Sequence, residues 1–228
     1  MLNFLRRIRR KLIDEGSLKR YLIYAIGEIL LVMIGILLAL QVNNWNEKNK
    51  SQKEEQVILK SLQTEFQDNI KNLEQVLESH NRTTSNIEKV LTRINDGNES
   101  VLNPEVRIEL RNAVLGKTYD PQFGVLNSLL NSEKINLIES DLLRIQIAKI
   151  PGLLDDYSED EELVVKSIFD FYLPELFRFN PENIKSEGHI IVNYLNFLIP
   201  NIQTIVEEGE SLKLTLAKDI EMIESQIN

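Results

Sequence analysis

A chain of 228 residues without a single cysteine has no disulfide framework, no thiolate catalyst and no lipidated cysteine. Its formal net charge of −9 is unevenly spread: seven basic and two acidic residues give the first twenty positions +5, which leaves −14 for the remainder. So acidic a body repels phosphate backbones, and nucleic acid is not an expected partner.

The basic tail, residues 1–20, carries Arg6, Arg7, Arg9, Arg10, Lys11, Lys19 and Arg20. Beside an anionic inner leaflet each such residue is worth about 1 kcal/mol. Leu2, Leu5, Ile8 and Leu12 fall among the arginines at helical spacing, which fits a short amphipathic helix on the inner membrane face. A disordered basic flank that only sets topology fits the same residues, and both readings stay open.

Residues 21–42, YLIYAIGEILLVMIGILLALQV, are apolar almost throughout and carry one charge, Glu28. A helix there runs roughly 33 Å, against a hydrocarbon core of about 30 Å. The run is longer than the roughly 7–15 apolar residues of a cleaved signal, and Ala39-Leu40-Gln41 is a poor cleavage site. An uncleaved single-pass anchor is expected. The seven basic residues before it outweigh Lys48, Lys50, Lys53 and Lys60 after it. That bias places the N-terminus in the cytoplasm and the large domain outside. Trp45 falls where an interfacial aromatic anchor belongs.

Within the span, Ala25, Glu28, Val32, Gly35 and Ala39 share one face, and Leu22, Ile26, Leu30, Met33, Leu37 and Leu40 take the bulkier opposite side. Gly35-x-x-x-Ala39 is a small-xxx-small pair, which lets two helix backbones approach closely in lipid. This face is the expected association surface. Glu28 lies roughly 10 Å inside the cytoplasmic edge, where a charge is costly. Three roles are open to it: a protonated group bonded across an oligomer interface, a side chain snorkelling to the headgroups, or a proton carrier like those of single-span stator subunits in ion-driven motors.

Beyond Asn46, Leu59, Leu62, Phe66, Leu73, Val76, Ile87, Leu91 and Ile94 recur at helical intervals, interrupted by Asn69, His80 and Thr84. No proline or glycine intervenes before Gly97, so the pattern predicts a helix on the order of 75 Å that continues from the span. Asp96-Gly97-Asn98 ends it. Asn103-Pro104 opens a short helix to about Leu115, and Asp120-Pro121 caps a second through Leu130. Gly116-Lys117-Thr118 matches the end of a phosphate-binding loop, but Arg111 stands where the motif's first glycine belongs and a helix precedes it. The match is read as chance.

Ser140 caps a helix from Asp141 to Ile150, which Pro151-Gly152 bends or breaks. The pattern resumes with Leu153, Leu154, Tyr157, Val164, Val165, Ile168 and Phe169, ending near Pro174. The acidic run from Glu159 to Glu162 reads as a solvated helix face rather than a cation site. After Asn180-Pro181 a last helix runs from about Glu187 to Ile227, bent near Pro200, with Ile202, Ile205, Leu212, Leu216, Ile220 and Ile223 on its buried side. No convincing strand pattern appears. The expected fold is all-α: a transmembrane helix over 21–42 continuing into an antiparallel helical bundle over 43–228, with three long helices and two short ones.

Two blocks carry a resemblance. The segments Ala25–Ile29 (AIGEI) and Gly35–Glu47 (GILLALQVNNWNE) resemble the membrane motif of an uncharacterised family of single-span inner-membrane proteins from Gram-negative bacteria, classed as a domain of unknown function. Leu126–Ser132 (LNSLLNS) and Lys134–Ile138 (KINLI) are similar to that family's second recurring block, where a glycine commonly stands in place of Glu133. The resemblance covers most of the chain. It implies a bitopic inner-membrane protein with a helical domain, and it supplies no activity and no catalytic residue.

Two histidines, His80 and His189, fall on different predicted helices, and H-E-x-x-H, G-x-S-x-G and a complete phosphate loop are all absent. His80 reads as a polar interruption of a helix face and His189 as an ordinary helix-start residue. The expected function is therefore non-catalytic, with no cofactor and no metal. The chain is expected to be a membrane-anchored interaction module whose partners are the bilayer and a second copy or another membrane protein. A ligand-sensing helical domain acting through a membrane partner, or a proton-coupled subunit centred on Glu28, are the alternatives.

Overall fold

The computed structural model describes residues 18–97, 103–177 and 184–227. All regular structure among them is helical: α1 (Leu18–Asn95), α2 (Pro104–Ala113), α3 (Gly124–Leu130), a 3-10 turn (Glu133–Leu137), α4 (Asp141–Ser167), a π turn (Ile168–Tyr172), α5 (Leu173–Phe177) and α6 (Ile184–Glu224). The expected all-α class is found. The tail helix over residues 2–12 and the break at Asn180-Pro181 lie outside the described residues.

The chain divides into two compact units, Met1–Glu54 and Glu55–Asn228, and α1 contributes to both. In the first unit the large aliphatic side chains from Leu22 to Val42 are exposed, Leu31 by 73%. The described residues hold one helix long and apolar enough to cross a membrane, and none of its apolar window is buried.

In the second unit the 3–4 spacing of α1 produces its buried stripe. Leu59, Leu62, Phe66, Leu73, Val76, Ile87 and Leu91 are all in the core. Facing them are Leu143, Ile147, Ile150, Tyr157 and Val164 of α4, and Leu195, Leu198, Ile202, Ile205, Leu212, Leu216 and Ile223 of α6, which packs on α4. Phe169, expected on the buried side, is 55% exposed. Burial passes from Val164 to Ile168 and Tyr172 at four-residue spacing into the π turn, while Phe169 and Phe171 face outward. At the entrance to that turn the Tyr194 hydroxyl donates to the Ser167 carbonyl, and the Tyr194 ring stacks on Tyr172 with centroids 5.5 Å apart.

The helix ends follow local chemistry in part. Gly97 adopts φ 73°, the left-handed conformation that ends a helix without side-chain strain. Asn103 accepts from the Glu105 N–H at 2.9 Å with Pro104 in the first turn, and Ser140 accepts from Leu143 N–H at 3.2 Å. Two expectations are corrected. Asp120-Pro121 does not cap α3, which begins only at Gly124 without a local side-chain cap. Instead Glu65 of α1 caps it from a distance, accepting from Val125 N–H at 2.6 Å and Leu126 N–H at 2.9 Å. Nor does Pro151-Gly152 break α4, which continues through Pro151 to Ser167. The lost backbone bond is outweighed there by the buried contacts of Ile150 and Tyr157 on either side.

The polar residues of α1 that interrupt its apolar pattern hold the connector between α2 and α3. Asn69 donates to Gln122 O at 2.7 Å and accepts from Gln122 N–H at 2.8 Å. Asn72 donates to Asp120 O at 3.1 Å, and Ser79 accepts from Lys117 N–H at 3.0 Å. Lacking a partner helix or strand of its own, this connector satisfies its backbone on α1 side chains.

Candidate functional site

The association-face and membrane-anchor residues expected from the sequence all lie on α1 or ahead of it. Ala25, Glu28, Val32, Gly35 and Ala39 follow 3–4 spacing down one helix, so α1 brings them onto a single face. Ala25 and Glu28 are half-buried, the other three are exposed, and a Cβ added at Gly35 would meet no atom within 4 Å. Of the anchors, Lys19 is exposed, Arg20 lies in the first turn of α1 and Trp45 is 67% exposed. Arg6, Arg7, Arg9, Arg10 and Lys11 lie outside the described residues.

The second unit contains a polar centre that the sequence reading missed. His80 of α1 and Glu161 of α4 stand 81 positions apart in the chain, both buried, and meet with His80 Nε2 3.0 Å from Glu161 Oε1. Tyr119 N–H donates to both Glu161 oxygens, at 3.1 Å and 2.9 Å. His80 is thus a core partner rather than a mere polar interruption, and the acidic run is not wholly solvated, since Glu161 is only 5% exposed. The spread of helical side chains around the axis explains the difference. Glu159 and Glu162 point outward, while Glu161 falls on the same stripe as Tyr157 and Val164.

The partner of Nε2 settles the ring's tautomer. A carboxylate only accepts, so in the neutral ring the proton resides on Nε2 and the lone pair on Nδ1. Among the described residues neither Nδ1 nor Thr83 Oγ1 has a hydrogen-bond partner, although His80 is 7% and Thr83 5% exposed. Both residues line a cavity of about 80 Å³ whose other walls are mainly apolar, including Val114, Val164, Ile168 and Ile202. Gly116, Lys117 and Thr118, the fragment resembling a phosphate loop, close one side of it.

Two tyrosines border this centre, their rings edge to face with centroids 5.6 Å apart. Burial drives the Tyr119 phenol well above its ordinary pKa. Burial does the same to Tyr157, reinforced by the nearby Glu161 carboxylate, and no hydrogen bond of good geometry joins that hydroxyl to a partner. Both stay neutral across physiological pH. Further along α6, burial lifts the Asp219 carboxyl to about 6 against the opposing pull of Lys149 and Lys218. Glu208 is also raised, first by burial and then by Asp160 and Asp156. No three His, Asp or Glu side chains converge on a common point among the described residues.

The sequence does carry a faint signal for this centre. His80 and Thr83 occupy positions where the stripe through Val76, Leu77, Ile87 and Val90 demands burial, and a polar residue at a core position needs a partner. The identity of that partner is invisible without the fold.

Residues 28–162, more than half of the chain, match the model of a family described as Family of unknown function (DUF6090), and the chain belongs to that family. No curated protein and no solved structure matches it. His80, Thr83, Tyr119 and Glu161 all fall inside the matched stretch.

Proposed function

We propose that this family member is a membrane-anchored helical interaction module of the bacterial inner membrane, without catalytic activity of its own. A single span over residues 21–42 holds it, with the basic tail in the cytoplasm and the helical bundle over 43–228 in the periplasm. The bundle engages a partner protein or further copies of itself. Self-association runs through Ala25, Glu28, Val32, Gly35 and Ala39.

One observation carries the reading: an apolar helical stretch whose large aliphatic side chains stand exposed, Leu31 by 73% and Ile23 by 62%. Apolar surface left in water costs about 25 cal/mol per Å², whereas lipid covers it without that cost. The core helix of a water-soluble domain would instead be buried. The surplus of Lys and Arg before the span supports the orientation. The small residues support close helix packing, and a carboxyl group within hydrocarbon gains most from a partner across such a contact.

The test is a photoreactive residue at Gly35 in intact cells, followed by mass spectrometry of the crosslinked product. The expected product is two copies of this chain, diminished by Gly35→Leu or Ala39→Leu. A strictly monomeric result with that probe refutes self-association through this face.

A further inference from the structure

We propose that the cavity beside His80 is a binding site for a small uncharged hydroxyl compound, a phenol or a short-chain alcohol, whose O–H donates to His80 Nδ1. The proposal is independent of the membrane reading, since every residue it uses belongs to the second unit.

The argument starts from unmet hydrogen-bonding capacity. In the neutral ring Nδ1 is the acceptor, because the Glu161 carboxylate 3.0 Å from Nε2 takes the ring N–H there. The Thr83 hydroxyl can donate or accept. A Cβ built on Gly116 would lie 3.6 Å from Thr83 Oγ1 and 3.9 Å from Nδ1, so both atoms gather at one end of the cavity. The glycine leaves that end open. A ligand oxygen placed there donates its proton to Nδ1 and accepts from Thr83.

Charge narrows the class. An anionic head would approach the buried Glu161 carboxylate and be repelled, while Lys117 on the cavity wall gives its Nζ to Gln75 Oε1 at 3.1 Å. A cation would seek that carboxylate, but Oε1 already faces His80 and Tyr119 N–H, and Oε2 also faces Tyr119 N–H. A neutral donor matches what remains. The body of the ligand meets Val114, Val164, Ile168 and Ile202, which offer only apolar contact. The volume of about 80 Å³ far exceeds the roughly 10–15 Å³ that one water needs. A predominantly apolar pocket with a few convergent polar groups is how proteins hold small molecules.

The full chain in lipid nanodiscs, labelled with ¹⁵N-histidine, is titrated with phenol at a free concentration set by dialysis. His80 and His189 are its histidines, and His189, exposed on α6, is the internal control. A saturable change at the His80 Nδ1 resonance is expected, with His189 unmoved. Benzene, which lacks the hydroxyl, and benzoate, which is charged, are expected to bind at least about tenfold more weakly. Thr83→Val keeps the side chain's shape and removes its hydroxyl, and should weaken phenol about threefold to tenfold. Gly116→Ala places a methyl at the polar end in ordinary contact and should abolish the response. In each variant the Nε2–H signature of the Glu161 contact reports intact folding. Absence of a saturable change at His80, equal affinity for benzene and phenol, or a Thr83→Val variant that binds phenol unchanged would each overturn the proposal.

Discussion

Removing the Glu161 side chain tests the polar centre most directly. In Glu161→Ala, His80 Nε2–H and Tyr119 N–H lose the acceptor they share at 2.9–3.1 Å. Each buried donor left without a partner costs about 1–3 kcal/mol, so the pair loses about 2–6 kcal/mol, some of which water entering the cavity can offset. Against a total stability of about 5–15 kcal/mol, that is a large fraction. Glu161→Gln isolates the chemistry with little change of shape. The amide oxygen accepts from Tyr119, and the amide nitrogen then donates toward His80. Since two donors cannot face each other, the ring proton moves from Nε2 to Nδ1. The stability loss should be smaller, about 1–2 kcal/mol, as charge-assisted bonds become neutral ones. Two assays read this: chemical denaturation of the full chain followed by helical circular dichroism, and ¹⁵N shifts of the two histidines. Loss below about 0.5 kcal/mol in Glu161→Ala, or an unchanged His80 tautomer in Glu161→Gln, would refute the assignment.

Asp219, held near 6 by burial against an ordinary 3.8, binds its proton more tightly in the folded chain. Its contribution therefore favours folding below about pH 4 and is lost as pH rises through 6, leaving a constant cost of about 1–3 kcal/mol at neutral pH. Asp219→Asn should flatten the fall in melting temperature between pH 4 and pH 7. Gly209→Ala should lower stability by about 1–3 kcal/mol, measured by denaturation. Its Cβ would clash with Leu77 Cδ2 and stand 3.0 Å from Tyr157 Cε2, and both neighbours are buried. Truncating the neighbour with Leu77→Ala should make the Gly209 change less costly in the double variant. Glu65→Ala removes the acceptor for Val125 and Leu126 N–H and should cost about 1–2 kcal/mol, with faster amide exchange confined to α3.

Much of the architecture was readable from the chain because it rests on local chemistry. The apolar stripe of α1 from Leu59 to Leu91, the stop at Gly97 and the caps at Asn103 and Ser140 each depend on residues within one or two turns. The misreading of the α3 cap involves a distant partner. Asp120-Pro121 looks like a cap, but the groups that satisfy α3 come from Glu65, about sixty positions earlier. Of the bend or break open to Pro151, a break does not occur, since α4 continues to Ser167 with Ile150 and Tyr157 packed on either side. Phe169 reads with the buried pattern, but Ile168 takes the core position and its neighbour points outward.

Composition and periodicity alone determined the helical class, the apolar stretch over 21–42 and the face shared by Ala25, Glu28, Val32, Gly35 and Ala39, because each is a property of one helix and its spacing. The tertiary structure alone decided that His80 meets Glu161, that Tyr119 N–H completes the carboxylate's bonding, and that Nδ1 and Thr83 Oγ1 open onto one cavity. A hydrogen bond acts over about 3 Å and is indifferent to sequence separation. Which buried polar groups become neighbours is settled only when α1, α4 and the α2–α3 connector pack on one core.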